Sequence, residues 1–143
     1  MTDFRLSAIE SEEDYLASFA VMQELRPHLG DAAAFAEQAR RQAGQGYRLL
    51  AAWQDGQIRA LAGYRVQENL IYGRFLYVDD LVTSARARGQ GLGARLIGAL
   101  REEAREQACS HLVLDTGLAN ALAQRFYYRQ GLLGAGMHFR QPL

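Results

Sequence analysis

The sequence predicts an α+β domain, an α/β/α sandwich built on a mixed, mostly antiparallel sheet with one parallel βαβ crossover. Three observations carry this. The apolar runs Tyr47–Trp53 and Ile58–Val66 are joined through Asp55-Gly56, a hairpin signal that makes them antiparallel. The run Phe75–Thr83 leads through a glycine-rich loop into apolar residues at helical spacing, Leu92, Leu96, Ile97, Leu100 and Ala104. His111–Thr116 then reads as a further strand, so strand, helix and strand form a βαβ unit whose strands run parallel.

The remaining elements follow in order. Phe4–Ile9 alternates apolar and polar residues and reads as a first strand. Ser11 can cap a helix whose first turn holds Glu12, Glu13 and Asp14, where acids suit the helix dipole. Its expected buried stripe is Tyr15, Leu16, Phe19, Met22 and Leu25. Arg26-Pro27 to Gly30 breaks that helix, and Asp31 can cap a second one through Arg41, with Phe35 as its one large anchor. Asn69–Gly73 is a second connection. Ala119–Gln130 is a last helix ended by Gly131, and Leu133–Phe139 is expected to return as a final strand.

A chain of 143 residues, nearly half of them hydrophobic, is long enough for a real core and reads as one domain over residues 1–143. Sixteen basic and sixteen acidic side chains cancel, so no global attraction to nucleic acid or to an anionic membrane is expected. Cys109 is the single cysteine; it has no disulfide partner and no metal-binding companion, and no metal is expected. No apolar run is long enough for a bilayer and no signal segment is evident, so the expectation is a cytoplasmic protein.

The central stretch is Arg88-Gly89-Gln90-Gly91-Leu92-Gly93-Ala94, between the Phe75–Thr83 strand and a helix N-terminus. Glycines let several backbone N–H groups converge, and a helix start adds unpaired donors and partial positive charge. Arg88 adds a cation at the mouth of the loop. The arrangement suits phosphate.

This loop resembles the Arg/Gln-x-x-Gly-x-Gly/Ala signature of the GNAT N-acetyltransferase superfamily. The second half of the resemblance is Asn120, Ala123, Phe126-Tyr127 and Gly131, similar to the family's Asn…Ala…Phe/Leu-Tyr…Gly element. Two motifs in the right order, with the right elements between them, are more specific than either alone. Residues 47–139 carry the resemblance. The chain departs from the pattern at Ser84-Ala85, where proline is common, and at Leu132, where phenylalanine is usual.

The resemblance implies the acyl-CoA N-acyltransferase fold and acetyl transfer from acetyl-CoA to an amine of a small molecule or peptide. The pyrophosphate would lie on Arg88, Gly89, Gln90, Gly91, Leu92, Gly93 and Ala94. An oxyanion donor would come from the backbone of Leu81, Val82 or Thr83, and Asn120 would bond the pantetheine arm or cap the last helix. Tyr127 is the expected acid for the departing thiolate, and Tyr128, pointing elsewhere, cannot share that role.

Three carboxylates are candidate bases. Asp79 and Asp80 are strand neighbours expected on opposite faces. Asp80 would share a row with Leu76, Val78 and Val82, which would desolvate a carboxylate there and suit a base near neutral pH. Asp79 would lie with Tyr77, Leu81 and Thr83. Asp115 follows Leu112–Leu114 at a position where some family members carry a catalytic glutamate. A structural role competes for each, and a water chain serves in many relatives. Homodimers are common in the family, and no exposed stripe in this sequence demands one.

Two other readings use the same loop. Gly89, Gly91 and Ala94 also satisfy Gly-x-Gly-x-x-Ala, the dinucleotide fingerprint, but an antiparallel front half and the short remaining chain oppose it. A non-catalytic acyl-CoA sensor would keep the loop and need no acid or base.

Overall fold

The structure, a computed structural model, describes residues 3–143. The chain divides into two units, Met1–Val113 and Leu114–Leu143.

The first unit holds a sheet in the order β1 (Arg5–Ala8), β2 (Arg48–Gln54), β3 (Gln57–Asn69), β4 (Gly73–Thr83) and β5 (His111–Leu114, whose last residue opens the second unit). The first three pairings are antiparallel, and β4 and β5 form the parallel pair of this mixed sheet across helix α3 (Leu92–Glu106). Asp55 and Gly56 close the β2–β3 hairpin with φ of 51° and 73°, the left-handed pair that a two-residue turn requires. The β3–β4 hairpin is longer than its apolar core suggested. It ends at Asn69, whose Oδ1 accepts the N–H groups of Ile71 and Tyr72 at 3.0 and 2.8 Å.

Helices α1 (Glu12–Leu25) and α2 (Ala32–Ala43) start where the sequence places their caps. Ser11 accepts from the Asp14 N–H, and Asp31 from those of Ala33 and Ala34. Their buried faces meet Tyr47 just ahead of β2, Leu49 and Ala51 of β2, Leu61 of β3 and Val82 of β4. The α1 stripe holds at Tyr15 and Met22, which are buried, and at Phe19 and Leu25, which pack against the core; Ser18 and Val21 join it, and Leu16 is 40% exposed. Ser18 tolerates burial because its hydroxyl donates to the Tyr15 carbonyl at 2.7 Å, which leaves no polar group unpaired. On the opposite face Leu92, Leu96, Ile97 and Leu100 of α3 are buried over the alternate strand positions Ala60, Ala62 and Leu76.

In the second unit, α4 (Ala121–Arg129) ends in a Schellman turn. Gly131 takes φ 90°, and the N–H groups of Leu132 and Gly131 donate to the carbonyls of Tyr127 and Tyr128. The expected final strand at Leu133–Phe139 does not form. No backbone hydrogen bond is described for residues 133–143, Gly134 and Gly136 interrupt the alternation, and Leu133 and Phe139 are exposed. Alternation marks a strand only where a neighbour completes its ladder.

Candidate functional site

In the first unit the candidate site is built on β4. Its register with β3 pairs Gly63 with Asp80 and then Tyr64 with Val78, so Asp79 is an extra residue without a partner. This β-bulge breaks the alternation that the sequence implies. Asp79 and Asp80 therefore do not point to opposite faces; both side chains reach the face covered by α1 and α2. Asp79 receives Arg65 Nε and Nη2 at 2.8 and 2.7 Å. Asp80 does not share an apolar row with Leu76 and Val78. Its Oδ1 accepts from Arg26 Nε and Nη2 at 3.1 and 2.9 Å, and its Oδ2 from the Tyr47 hydroxyl at 2.8 Å. Every carboxylate oxygen of Asp79 and Asp80 already receives a donor.

Past the bulge the ladder resumes. Ser84 N–H donates to the Arg59 carbonyl at 2.8 Å, which fixes the phase of the hydrogen-bonded pairs. Bonded and non-bonded pairs alternate in an antiparallel ladder, so Leu81 and Thr83, opposite Ala62 and Ala60, turn their N–H groups away from β3. They face the edge on which β5 lies. β5 begins opposite Arg74 and has four residues against eleven in β4, so it stops before it reaches them. The β4 amides expected to act as oxyanion donors are thus outward-facing at Leu81 and Thr83, whereas Val82 turns toward β3.

The glycine loop follows a short 3-10 turn at Ala85–Ala87. Gly89 and Gly91 have φ of 81° and 75°, and nothing lies within 4 Å of where their Cβ atoms would stand. Gly91 is the N-cap of α3 and offers no side chain to it, in contrast to Ser11 and Asp31. Among the described hydrogen bonds, none is donated by the backbone of Gly89, Gln90, Gly91, Leu92, Gly93 or Ala94. No acid stands in the first turn of α3, while Arg86 and Arg88 are exposed beside it. Cations at an uncapped helix N-terminus are unfavourable alone and fit a bound anion. Such a row of open N–H groups at a helix start suits an anion such as a phosphate.

In the second unit Asn120 caps α4, its Oδ1 accepting the Ala123 N–H at 3.2 Å. Tyr127 is half-buried with its ring edge-on to Phe126 at 5.4 Å, and burial raises its phenol pKa. Tyr128, on a different side of the helix, is 58% exposed. Asp115 lies 3.4 Å from His138 Nδ1, a contact that is ionic when the imidazole is protonated. Among the described residues no group of three or more His, Cys, Asp or Glu side chains could hold a metal, and no helix is long and apolar enough to cross a membrane.

Sequence reasoning missed Arg26, Tyr47 and Arg65, whose partners lie far along the chain. One signal was available: an isolated glycine inside a strand pattern, Gly63, marks a bulge or a close approach.

A mixed five-stranded sheet with a bulged fourth strand, followed by an open glycine loop and a helix, is an acetyltransferase framework. The Acetyltransferase (GNAT) family matches residues 8–132, and the chain belongs to that family. It is similar to the uncharacterized N-acetyltransferase YhdJ of Bacillus subtilis, with 29% identity over 139 residues, 96% of this chain and 98% of that protein. A Trypanosoma brucei acetyltransferase shares its fold at TM-score 0.82 and 23% identity, covering 99% of this chain and 100% of that one. So does AAC(6')-Iy, solved with the bisubstrate analog CoA-S-monomethyl-acetylneamine, at TM-score 0.81, 14% identity, and 99% and 100% coverage.

Proposed function

We propose that this protein acts as a single N-acetyltransferase domain, in the cytoplasm, moving the acetyl group of acetyl-CoA to a primary amine by direct attack within a ternary complex. The observation that carries this reading is the row of undonated N–H groups from Gly89 to Ala94, on the same unit as the outward amides of Leu81 and Thr83. The pyrophosphate is held by the loop and Arg88. The amine attacks the thioester carbon, and the carbonyl oxygen gathers charge against a β4 amide; such a donor is typically worth about 3 kcal/mol of transition-state stabilisation. As the C–S bond breaks, the thiolate takes the proton of Tyr127. A phenol whose pKa burial has raised remains protonated at neutral pH, as an acid must. The ammonium proton leaves through water, because Arg65, Arg26 and Tyr47 occupy the carboxylates of Asp79 and Asp80. The amine-bearing ligand named with AAC(6')-Iy supports an amine acceptor for this chain.

The test is a thermal titration with acetyl-CoA and with NAD, then thiol release against a panel of an aminoglycoside, an amino-sugar phosphate, a polyamine and an N-terminal peptide amine. A ligand at a hundred times its Kd adds about 2.7 kcal/mol, a visible shift. The sequence contains no lysine, so side-chain self-acetylation adds no background. Tyr127→Phe should lower kcat by about 10²- to 10⁴-fold with acetyl-CoA affinity retained. Stabilisation by NAD alone would refute the donor assignment, and unchanged turnover in Tyr127→Phe would refute the acid.

A further inference from the structure

We propose that Arg26, Tyr47 and Asp80 are positioning residues that latch the β4 bulge and so aim the Leu81 amide at the acyl carbonyl. The proposal rests on the acetyl-transfer reading and assigns three residues that the motifs leave without a role.

The geometry is specific to the bulge. An extra residue in a strand has a carbonyl that the ladder does not use. Here that carbonyl is Asp79 O, and Arg26 Nη2 donates to it at 2.9 Å. The same guanidinium grips the next side chain, Asp80, through two N–H groups. One arginine, at the C-cap of α1, therefore fixes both a main-chain atom and a side chain of two successive residues. The second Asp80 oxygen is held from the other direction by Tyr47, which precedes β2, two strands away in the sheet.

To reach Asp80, the phenol passes over β3 at Gly63. A Cβ on Gly63 would stand 2.0 Å from Tyr47 Oη and 2.8 Å from Asp80 Oδ2. Glycine weakens a strand interior, and its presence in this central strand is explained by the crossing. Tyr47 is 2% exposed, and burial, then the Asp80 charge, push its pKa well up, so it stays a donor throughout the neutral range. The three contacts together set the backbone direction at residues 79–80, and the Leu81 N–H is the next group in the chain. A released bulge would leave the glycine loop intact and the amide misdirected.

The test compares acetyl-CoA with S-ethyl-CoA, a thioether that lacks the carbonyl oxygen, by calorimetry on the full chain. Wild type should bind acetyl-CoA about three- to tenfold more tightly than the thioether, the worth of one net hydrogen bond. In Tyr47→Phe and Arg26→Gln that preference should fall to about one, with thioether affinity within about twofold of wild type, since the phosphate contacts carry that affinity. An unfolded fraction weakens both ligands alike, so the ratio is insensitive to lost stability. Variants that keep the wild-type preference overturn the proposal. So does a parallel loss of both affinities beyond the unfolded fraction, and so does equal binding of the two ligands by wild type. Wild type that binds neither ligand refutes the acetyl-CoA reading itself, and the latch with it.

Discussion

Replacing Gly63 with alanine tests the packing at the bulge directly. The new methyl carbon would stand 2.0 Å from Tyr47 Oη and 2.6 Å from Cζ, where ordinary contacts lie at 3.4–4 Å. The phenol must therefore move by more than an ångström in a core where Tyr47 is 2% exposed. Moving it breaks the 2.8 Å bond to Asp80. A hydrogen bond to a charged group is worth about 1.5–3 kcal/mol, and overpacking adds about 1–3 kcal/mol. The lower entropy of the unfolded alanine chain offsets about 0.4–1 kcal/mol. The net loss is about 2–5 kcal/mol, or a Tm lower by about 5–15 °C for a chain of this length. Circular dichroism melts of wild type, Gly63→Ala, Tyr47→Phe and the double variant measure it. Both single changes remove the same hydrogen bond, so the double variant should be less destabilised than the sum by about 1.5–3 kcal/mol. A loss below about 1 kcal/mol, or strict additivity, would refute the argument.

Two further outcomes follow from backbone and charge. Ala108 takes φ 57° in the turn that ends α3, where Cys109 N–H donates to the Ala104 carbonyl at 2.8 Å. Glycine removes the Cβ penalty of that left-handed position, so Ala108→Gly should stabilise by about 0.5–1 kcal/mol and raise Tm by about 2–3 °C, read by thermal melts. Tyr47 has a folded pKa above its ordinary value of 10.0, so the stability it contributes is fully present below pH 10. Above that pH the unfolded chain loses a proton that the folded chain keeps, and stability falls by up to about 1.4 kcal/mol per pH unit until the folded pKa is passed. Urea midpoints at pH 9 and 11 should show this slope in wild type and a shallower one in Tyr47→Phe; equal slopes would count against the buried phenol.

Much of this protein is legible in its sequence because it is local. The caps Ser11 and Asp31, the Asp55-Gly56 turn and the glycines of the Arg88–Ala94 loop act within four or five residues, where backbone stereochemistry and hydrogen bonding settle the outcome. The strand periods of β2 to β4 fix which apolar residues face a core. The same local logic locates the donor loop and the tyrosine of α4.

Other features belong to the tertiary structure alone. Alternation assigns Asp79 and Asp80 to opposite faces, and a single extra residue in the register brings both to one face. The partners that claim them are Arg26, Tyr47 and Arg65, and the Arg26–Asp80 pair is separated by 54 positions in the chain. No local pattern records such a pairing. The same limit explains Leu133–Phe139, whose alternation had the form of a strand but whose backbone found no ladder. A sequence determines what each residue can do with its near neighbours; whether a carboxylate is a free base or one end of a latch depends on which distant side chain folding delivers to it.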